Sequence, residues 1–181
     1  MTVSTQPTNA RLEGFAGLSF MVHDLDQSLL DWASMFGAGP FFKGEFELEG
    51  HIYRGKPGKV HTEIALAYSG DTLLEMVAVR GEGPSIFHEV LDRGEGLHHF
   101  WVVSEDFDGD IAKYEKRGFP LVAHGPVPGI GRIGFVDATS RLGGLIKVAE
   151  LDATTYENFA KVKRHHQQWD GKNPIRSMSS I

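Results

Sequence analysis

The chain has 181 residues, 41% of them hydrophobic, with a formal net charge of −6 and no cysteine. That length supports one good core or two small fused modules. The acidic balance, without any long basic run, argues against nucleic acid and anionic membrane as partners, and the missing thiols exclude disulfides, thiolate metal centres and a cysteine nucleophile. No apolar run reaches a membrane-spanning length and residues 1–11 lack the apolar core of a secretory signal, so a cytoplasmic protein is expected.

Taken in order, residues 1–13 read as a loose polar lead-in. Residues 18–22 are apolar and β-prone, and Asp24 and Asp26 then place carboxylates where a helix start favours them. Leu29, Leu30, Ala33 and Phe36 recur at helical spacing until Gly37 stops the helix. A strand is predicted through Phe41, Phe42 and Phe46. Two more follow at about 61–67 and 72–79, joined by the hairpin signal of Ser69, Gly70 and Asp71. Ser85 opens a short linking helix over 86–92. A strand at 97–103, a helix at about 108–117 and strands at 121–124, 133–136 and 145–149 come next, with a Gly/Pro-rich loop at 125–131. Residues 153–169 carry an amphipathic helix, and the last dozen are expected to be extended and weakly ordered.

The chain also contains itself twice. Residues 17–26 lie in register with 99–108, 82 positions further on, matching Asp24 with Asp106, Leu25 with Phe107 and Asp26 with Asp108. The register continues through Leu29/Ile111 and Trp32/Tyr114. A fixed internal period marks duplicated supersecondary units that bury their sheets by packing together. The predicted class is therefore α+β: two βαβββ modules (14–81 and 95–151) pairing into one curved mixed sheet or half-barrel around a cavity. A linking helix spans 82–94, and a C-terminal helix and tail span 152–181.

This repeat, with Leu74-Glu75-Met76, Gly96-Leu97-His98-His99 and Gly144-Leu145-Ile146-Lys147-Val148, resembles the vicinal oxygen chelate (glyoxalase-like) superfamily, most closely its methylmalonyl-CoA epimerase-like members. The resemblance covers residues 15–151. It implies a cavity with a divalent metal, held by one ligand from the first and last strand of each module. The matching positions here hold Gly17, Glu75, His99 and Lys147. Glycine has no donor, and a charged ammonium has no lone pair to give. An ammonium about 4 Å from a dication would cost on the order of 8 kcal/mol at an effective dielectric near 20. No cofactor is therefore expected. The alternative is a divalent metal held by Glu75 and His99, or by a shifted site using another histidine such as His61.

The resemblance also implies a third-strand carboxylate that removes a proton alpha to a carbonyl, and Glu63 matches it. On a strand His61 and Glu63 share a face; with Ile64 and Leu66 assigned to the outer layer, both are expected to line the cavity. Lys147 would take over the metal's electrostatic role, beside Glu75, with His99 as hydrogen-bond donor or second proton carrier. Phe41, Phe42, Phe46 and Trp101 are expected to line the pocket, with Phe41, Phe42, Trp101 and Arg132 as substrate contacts, and His51 and Tyr53 are placed to gate the cavity. The plainer readings are a structural Lys147–Glu75 ion pair, His99 as a core histidine, and His98 as a structural residue on the opposite face. His165 and His166, consecutive on a helix, make a poor metal pair.

The expected function is an isomerase, epimerase or lyase acting by proton transfer next to a carbonyl on a hydrophobic small molecule, possibly an acyl-CoA, in a homodimer. The main alternative is a non-catalytic protein that sequesters a hydrophobic ligand. A metal-dependent glyoxalase or ring-cleaving dioxygenase ranks lower, because each needs the intact ligand set.

Overall fold

The computed structural model describes residues 14–127 and 129–181; the polar lead-in expected over 1–13 lies outside them. Asp24 caps α1 (Leu25–Phe36), its carboxylate accepting from the Gln27 N–H at 3.0 Å. Gly37 ends the helix in the left-handed region at φ 62°, a conformation that costs glycine nothing. Around this helix run β1 (Gly14–Met21), β2 (Phe41–Tyr53), β3 (Lys56–Ser69) and β4 (Thr72–Arg80). The linking helix α2 (Ile86–Leu91) is capped by Ser85. The pattern then returns as β5 (Gly96–Val103), α3 (Phe107–Lys116), β6 (Leu121–Val127), β7 (Gly131–Val136) and β8 (Leu145–Leu151). Strands β2, β3 and β6 run longer than expected, and a short α4 (Thr139–Leu142) between β7 and β8 was not anticipated.

The strand order is β3-β4-β1-β5-β8-β7-β6-β2, and β2 pairs back onto β3, so the two modules together close eight strands into one barrel. Antiparallel β1 and β5 meet at its centre, pairing Gly17 with Trp101 and Ser19 with His99. Parallel β4 and β8 flank them, pairing Ser19 with Glu75 and Trp101 with Lys147. Helix α1 packs outside on the small residues Ala65, Ala67 and Ala78 with Leu74 and Met76. Helix α3 covers Val136, Ile146 and Val148 in the same way. Larger side chains fill the inside, among them Tyr68, Trp101, Phe135, Phe159 and Val162.

Helix α5 (Ala153–Gln167) follows β8, burying Phe159 and Val162 in the barrel's own core. Near its end the His166 Nδ1–H donates to the Gly39 carbonyl at 2.7 Å, while Nε2 accepts from the Gly70 N–H at 3.1 Å. The last residues depart from expectation. They are extended, but β9 (Ile175–Ser177) is held as a ninth strand in parallel register on β2, pairing Ile175 with Phe41 and Ser177 with Lys43. A 3₁₀ turn (Met178–Ser180) then brings Met178 and Ile181 to the cavity.

Candidate active site

Because side chains alternate along a strand, the four central strands β4, β1, β5 and β8 project Glu75, Ser19, His99, Trp101 and Lys147 to the inside of the barrel. Glu75, Trp101 and Lys147 line the polar floor of a cavity of about 220 Å³, with Ser19 and His99 fully buried beside Glu75. Its walls come from β2, β3, α5 and the tail and are largely apolar, including Phe46, Ile64, Leu66, Phe159 and Ile181, with Thr155 and Asn158 as the polar exceptions on α5. Glu75 and Lys147 are the charged side chains among the described residues lining it.

Glu75 is the hub of this floor. Its Oε1 lies 3.4 Å from Lys147 Nζ, and its Oε2 accepts the Trp101 indole N–H at 3.1 Å. The two charged side chains are 4% and 9% exposed, so the pair is out of water. Burial alone would raise the Glu75 pKa, but Lys147 and His99 outweigh it and hold the carboxyl well below its usual range. Burial pulls Lys147 downward, against the opposing pull of Glu75. The ammonium also sits 3.5 Å from the centroid of the Trp101 ring, whose face favours a cation. The Ser19 hydroxyl is buried beside Glu75; its alignment falls short of a hydrogen bond, though it still biases Glu75 toward the carboxylate.

The two histidines do not alternate. Between Ser19/His99 and Phe20/Leu97 the β1–β5 register slips by one residue, leaving His98 as the extra residue of a bulge. Such a bulge re-aims a side chain, and here His98 Nδ1 lies 2.7 Å from His99 Nδ1, both rings fully buried. The expectation that His98 points to the opposite face is therefore corrected. His98 Nε2 faces the Ile86 carbonyl at 3.3 Å and must donate to it, since a carbonyl only accepts. With His98 kept neutral by burial, its Nδ1 accepts and the His99 Nδ1–H donates. Burial lowers the His99 pKa to about 4 against the opposing pull of Glu75, and His99 Nε2 lies 3.0 Å from Glu75 Oε2 without the alignment of a hydrogen bond.

Several expected site residues lie elsewhere. Ile64 and Leu66 face the cavity, so Glu63 and His61, of opposite parity, face outward. Glu63 is bound by Arg80, whose Nε donates at 2.6 Å, and His61 Nε2 lies 3.3 Å from Glu45. Neither lines the cavity. The same alternation puts Phe41 in the outer layer under α1; Phe42 is inside but packs tilted against His165 at 5.1 Å, away from the cavity, and Phe46 lines it as expected. Arg132 points outside, above the Phe107 ring and bound to Asp108 and Glu150 at 3.1 and 3.2 Å; its neighbour Ile133 is the lining residue. His51 and Tyr53 do not gate this cavity, because Pro126 and Glu89 tie them down at 3.1 and 2.7 Å. Trp101 lies where expected, and its indole N–H bond to Glu75 is an addition.

The residues present do not make the ligand set of a divalent ion. Glu75 and His99 are two donors, Lys147 Nζ stands 3.4 Å from the carboxylate, and among the described residues no group of three His, Cys, Asp or Glu is placed to hold a metal. At position 17 a Cβ would fall 2.1 Å from the Leu73 carbonyl oxygen, so this backbone admits no side-chain ligand there.

Residues 18–136 match the family model of the Glyoxalase/Bleomycin resistance protein/Dioxygenase superfamily, and the chain belongs to that superfamily. Among solved structures it is similar to a methylmalonyl-CoA epimerase from Mycobacterium tuberculosis, with 18% identity over 82% of this chain and 94% of that one, at a TM-score of 0.55. It is also similar to a Streptomyces coelicolor methylmalonyl-CoA epimerase variant in complex with 2-nitronate-propionyl-CoA, with 21% identity over 79% and 100% of the two chains and a TM-score of 0.50. A third, a methylmalonyl-CoA epimerase in complex with methylmalonyl-CoA and NH4+, shares 20% identity over 80% and 98%, also at 0.50. These likenesses fix the fold. Comparison with curated proteins finds no significant match.

Proposed function

We propose that the protein is an isomerase or epimerase that moves a proton at the carbon alpha to a carbonyl of a hydrophobic small molecule, an acyl thioester among the candidates, without a divalent metal. The observation that carries this is an ammonium and a carboxylate, 3.4 Å apart, at the floor of a largely apolar cavity. A substrate carbonyl oxygen accepts from Lys147 Nζ. As the ammonium turns to it, Glu75 loses part of its counter-charge, and burial then raises its affinity for a proton. Glu75 takes the α-proton, the C–H electron pair enters the enolate, and Lys147 stabilises the oxyanion in a water-poor site. Glu75 returns the proton to the α-carbon, to the opposite face when the bound enolate has turned over, and the starting charges of Glu75 and Lys147 are restored. Trp101 orients the carboxylate, and the His98–His99 pair packs behind it. The epimerase solved with methylmalonyl-CoA and NH4+ contains a free cation of the kind that Lys147 carries covalently.

The test is deuterium wash-in. The protein is incubated in D₂O with a panel of 2-methylacyl-CoA thioesters and α-branched ketones, and α-deuteration is read by mass spectrometry. The wild type is expected to label at least one compound, with Lys147→Met and Glu75→Gln inactive; labelling undiminished in both variants contradicts the assignment.

A second reading has its own observation. Glu75 already accepts from Trp101 and faces Lys147, which weakens it as a base and suits a sequestering protein. In that case compounds bind, Glu75→Gln retains their affinity, and the wild type labels none.

A further inference from the structure

The floor is electrically closed. One anion, Glu75, faces one cation, Lys147, both nearly dry, and the two buried histidines beside them are neutral. An ammonium has three N–H donors. Glu75 Oε1 at 3.4 Å and the Trp101 ring face at 3.5 Å take two, leaving one for a ligand. Among the described lining residues there is no second cation; Arg132, the nearest match in the sequence reading, is bound to Asp108 and Glu150 on the outer face.

From this we infer that the cavity selects an uncharged hydrophobic carbonyl compound and rejects ligands whose buried head group is ionised. The inference rests on the reading of Lys147 as the carbonyl donor. A neutral ketone, ester or thioester oxygen takes the free N–H and brings no second charge to the Glu75–Lys147 pair, which it loosens without breaking. A carboxylate must compete with Glu75 for the same ammonium and leaves one buried anion without a counter-charge, which is strongly unfavourable. An alkylammonium meets the mirror problem against Lys147. Methylmalonyl-CoA, the ligand of a structural neighbour, carries a free carboxylate beside its thioester and so falls in the rejected class.

The experiment uses three probes of equal chain length, 2-nonanone, nonanoate and nonylammonium, titrated into the full chain at pH 7.5 by calorimetry, with quenching of Trp101 emission as a second readout. The ketone is expected to bind about a hundredfold more tightly than either ion, a ratio in keeping with one unpaired buried charge. Glu75→Gln removes the anion and leaves Lys147 free, so nonanoate should then gain on the ketone by tenfold or more, again on the order of one charge contact. Nonanoate binding to wild type as tightly as the ketone overturns the selectivity while leaving the proton-transfer proposal standing, since that is read by deuterium. Failure of all three probes to bind also overturns the selectivity, while absence of deuterium wash-in across its own panel is what overturns the proton-transfer proposal. The wild-type comparison needs no variant, so a Glu75→Gln chain that fails to fold leaves it decisive.

Discussion

Two glutamates on neighbouring strands of the same barrel, Glu75 on β4 and Glu63 on β3, each meet a basic side chain, but on opposite walls. Glu75 and Lys147 face inward, at 4% and 9% side-chain exposure. Glu63 and Arg80 face outward, at 15% and 45%. The outer pair makes the shorter contact, with Arg80 Nε at 2.6 Å against 3.4 Å inside. Distance is therefore a poor guide to consequence. An exposed pair exchanges water for a partner and contributes about 0–1 kcal/mol, whereas removing one member of a buried pair strands a charge and costs about 3–5 kcal/mol.

That contrast is sharpest at Lys147. Lys147→Met should destabilise the fold by about 3–5 kcal/mol, lowering the melting temperature by roughly 10 °C, whereas the double replacement Glu75→Leu/Lys147→Met should recover most of the loss. A double variant as unstable as the single one would show that the pair is not the source of the cost. Acid acts on the same floor. The His99 pKa is lowered by burial from 6.5 to about 4 in the fold. Its contribution is whole above pH 6.5 and is lost as pH falls toward 4, because the unfolded chain takes up the proton first, for a total of about 3 kcal/mol. His98 shifts the same way. Glu75, held below its ordinary 4.5, adds a loss as pH falls below that value. Thermal denaturation followed from pH 7 to 4 should show this decline; a flat profile contradicts the buried neutral histidines. Trp101→Phe removes one hydrogen bond to the buried carboxylate and should cost about 2 kcal/mol in denaturant titration. Glu63→Gln should change stability by less than about 1 kcal/mol and leave deuterium wash-in unaffected; loss of labelling in that variant would return Glu63 to the site.

The sequence repeat was a sound guide to architecture because duplicated strands obey one pseudo-twofold relation. The offset of 82 that joins Gly17 to His99 also joins Ser19 to Trp101, and a shorter loop reduces it to 72 between Glu75 and Lys147, the pair that meets these strands at the barrel floor. Parity on β3 was not legible in the same way. A barrel wrapped by helices is apolar on both walls, so the alternation of Ile64 and Leu66 with Ala65 and Ala67 does not by itself say which set points inward. Residue size does: α1 packs against the alanines, and the large side chains fill the interior. Missing that reversed Glu63 and His61, and the same ambiguity on β2 misplaced Phe41. The bulge at His98 leaves no trace in composition, because it is a property of the β1–β5 pairing. The tail reads as extended and weakly ordered in sequence, yet Ile175, Met178 and Ile181 anchor it, each meeting the barrel at a different point.

The central claim is that this floor carries its own cation in Lys147 and holds no inorganic one. Elemental analysis of the untagged protein, paired with thermal denaturation before and after chelator treatment, tests it most directly. The account predicts substoichiometric Zn, Mn, Co, Ni and Fe and an unchanged melting temperature. One equivalent of a transition metal per chain, with a lower melting temperature once it is stripped, would contradict it.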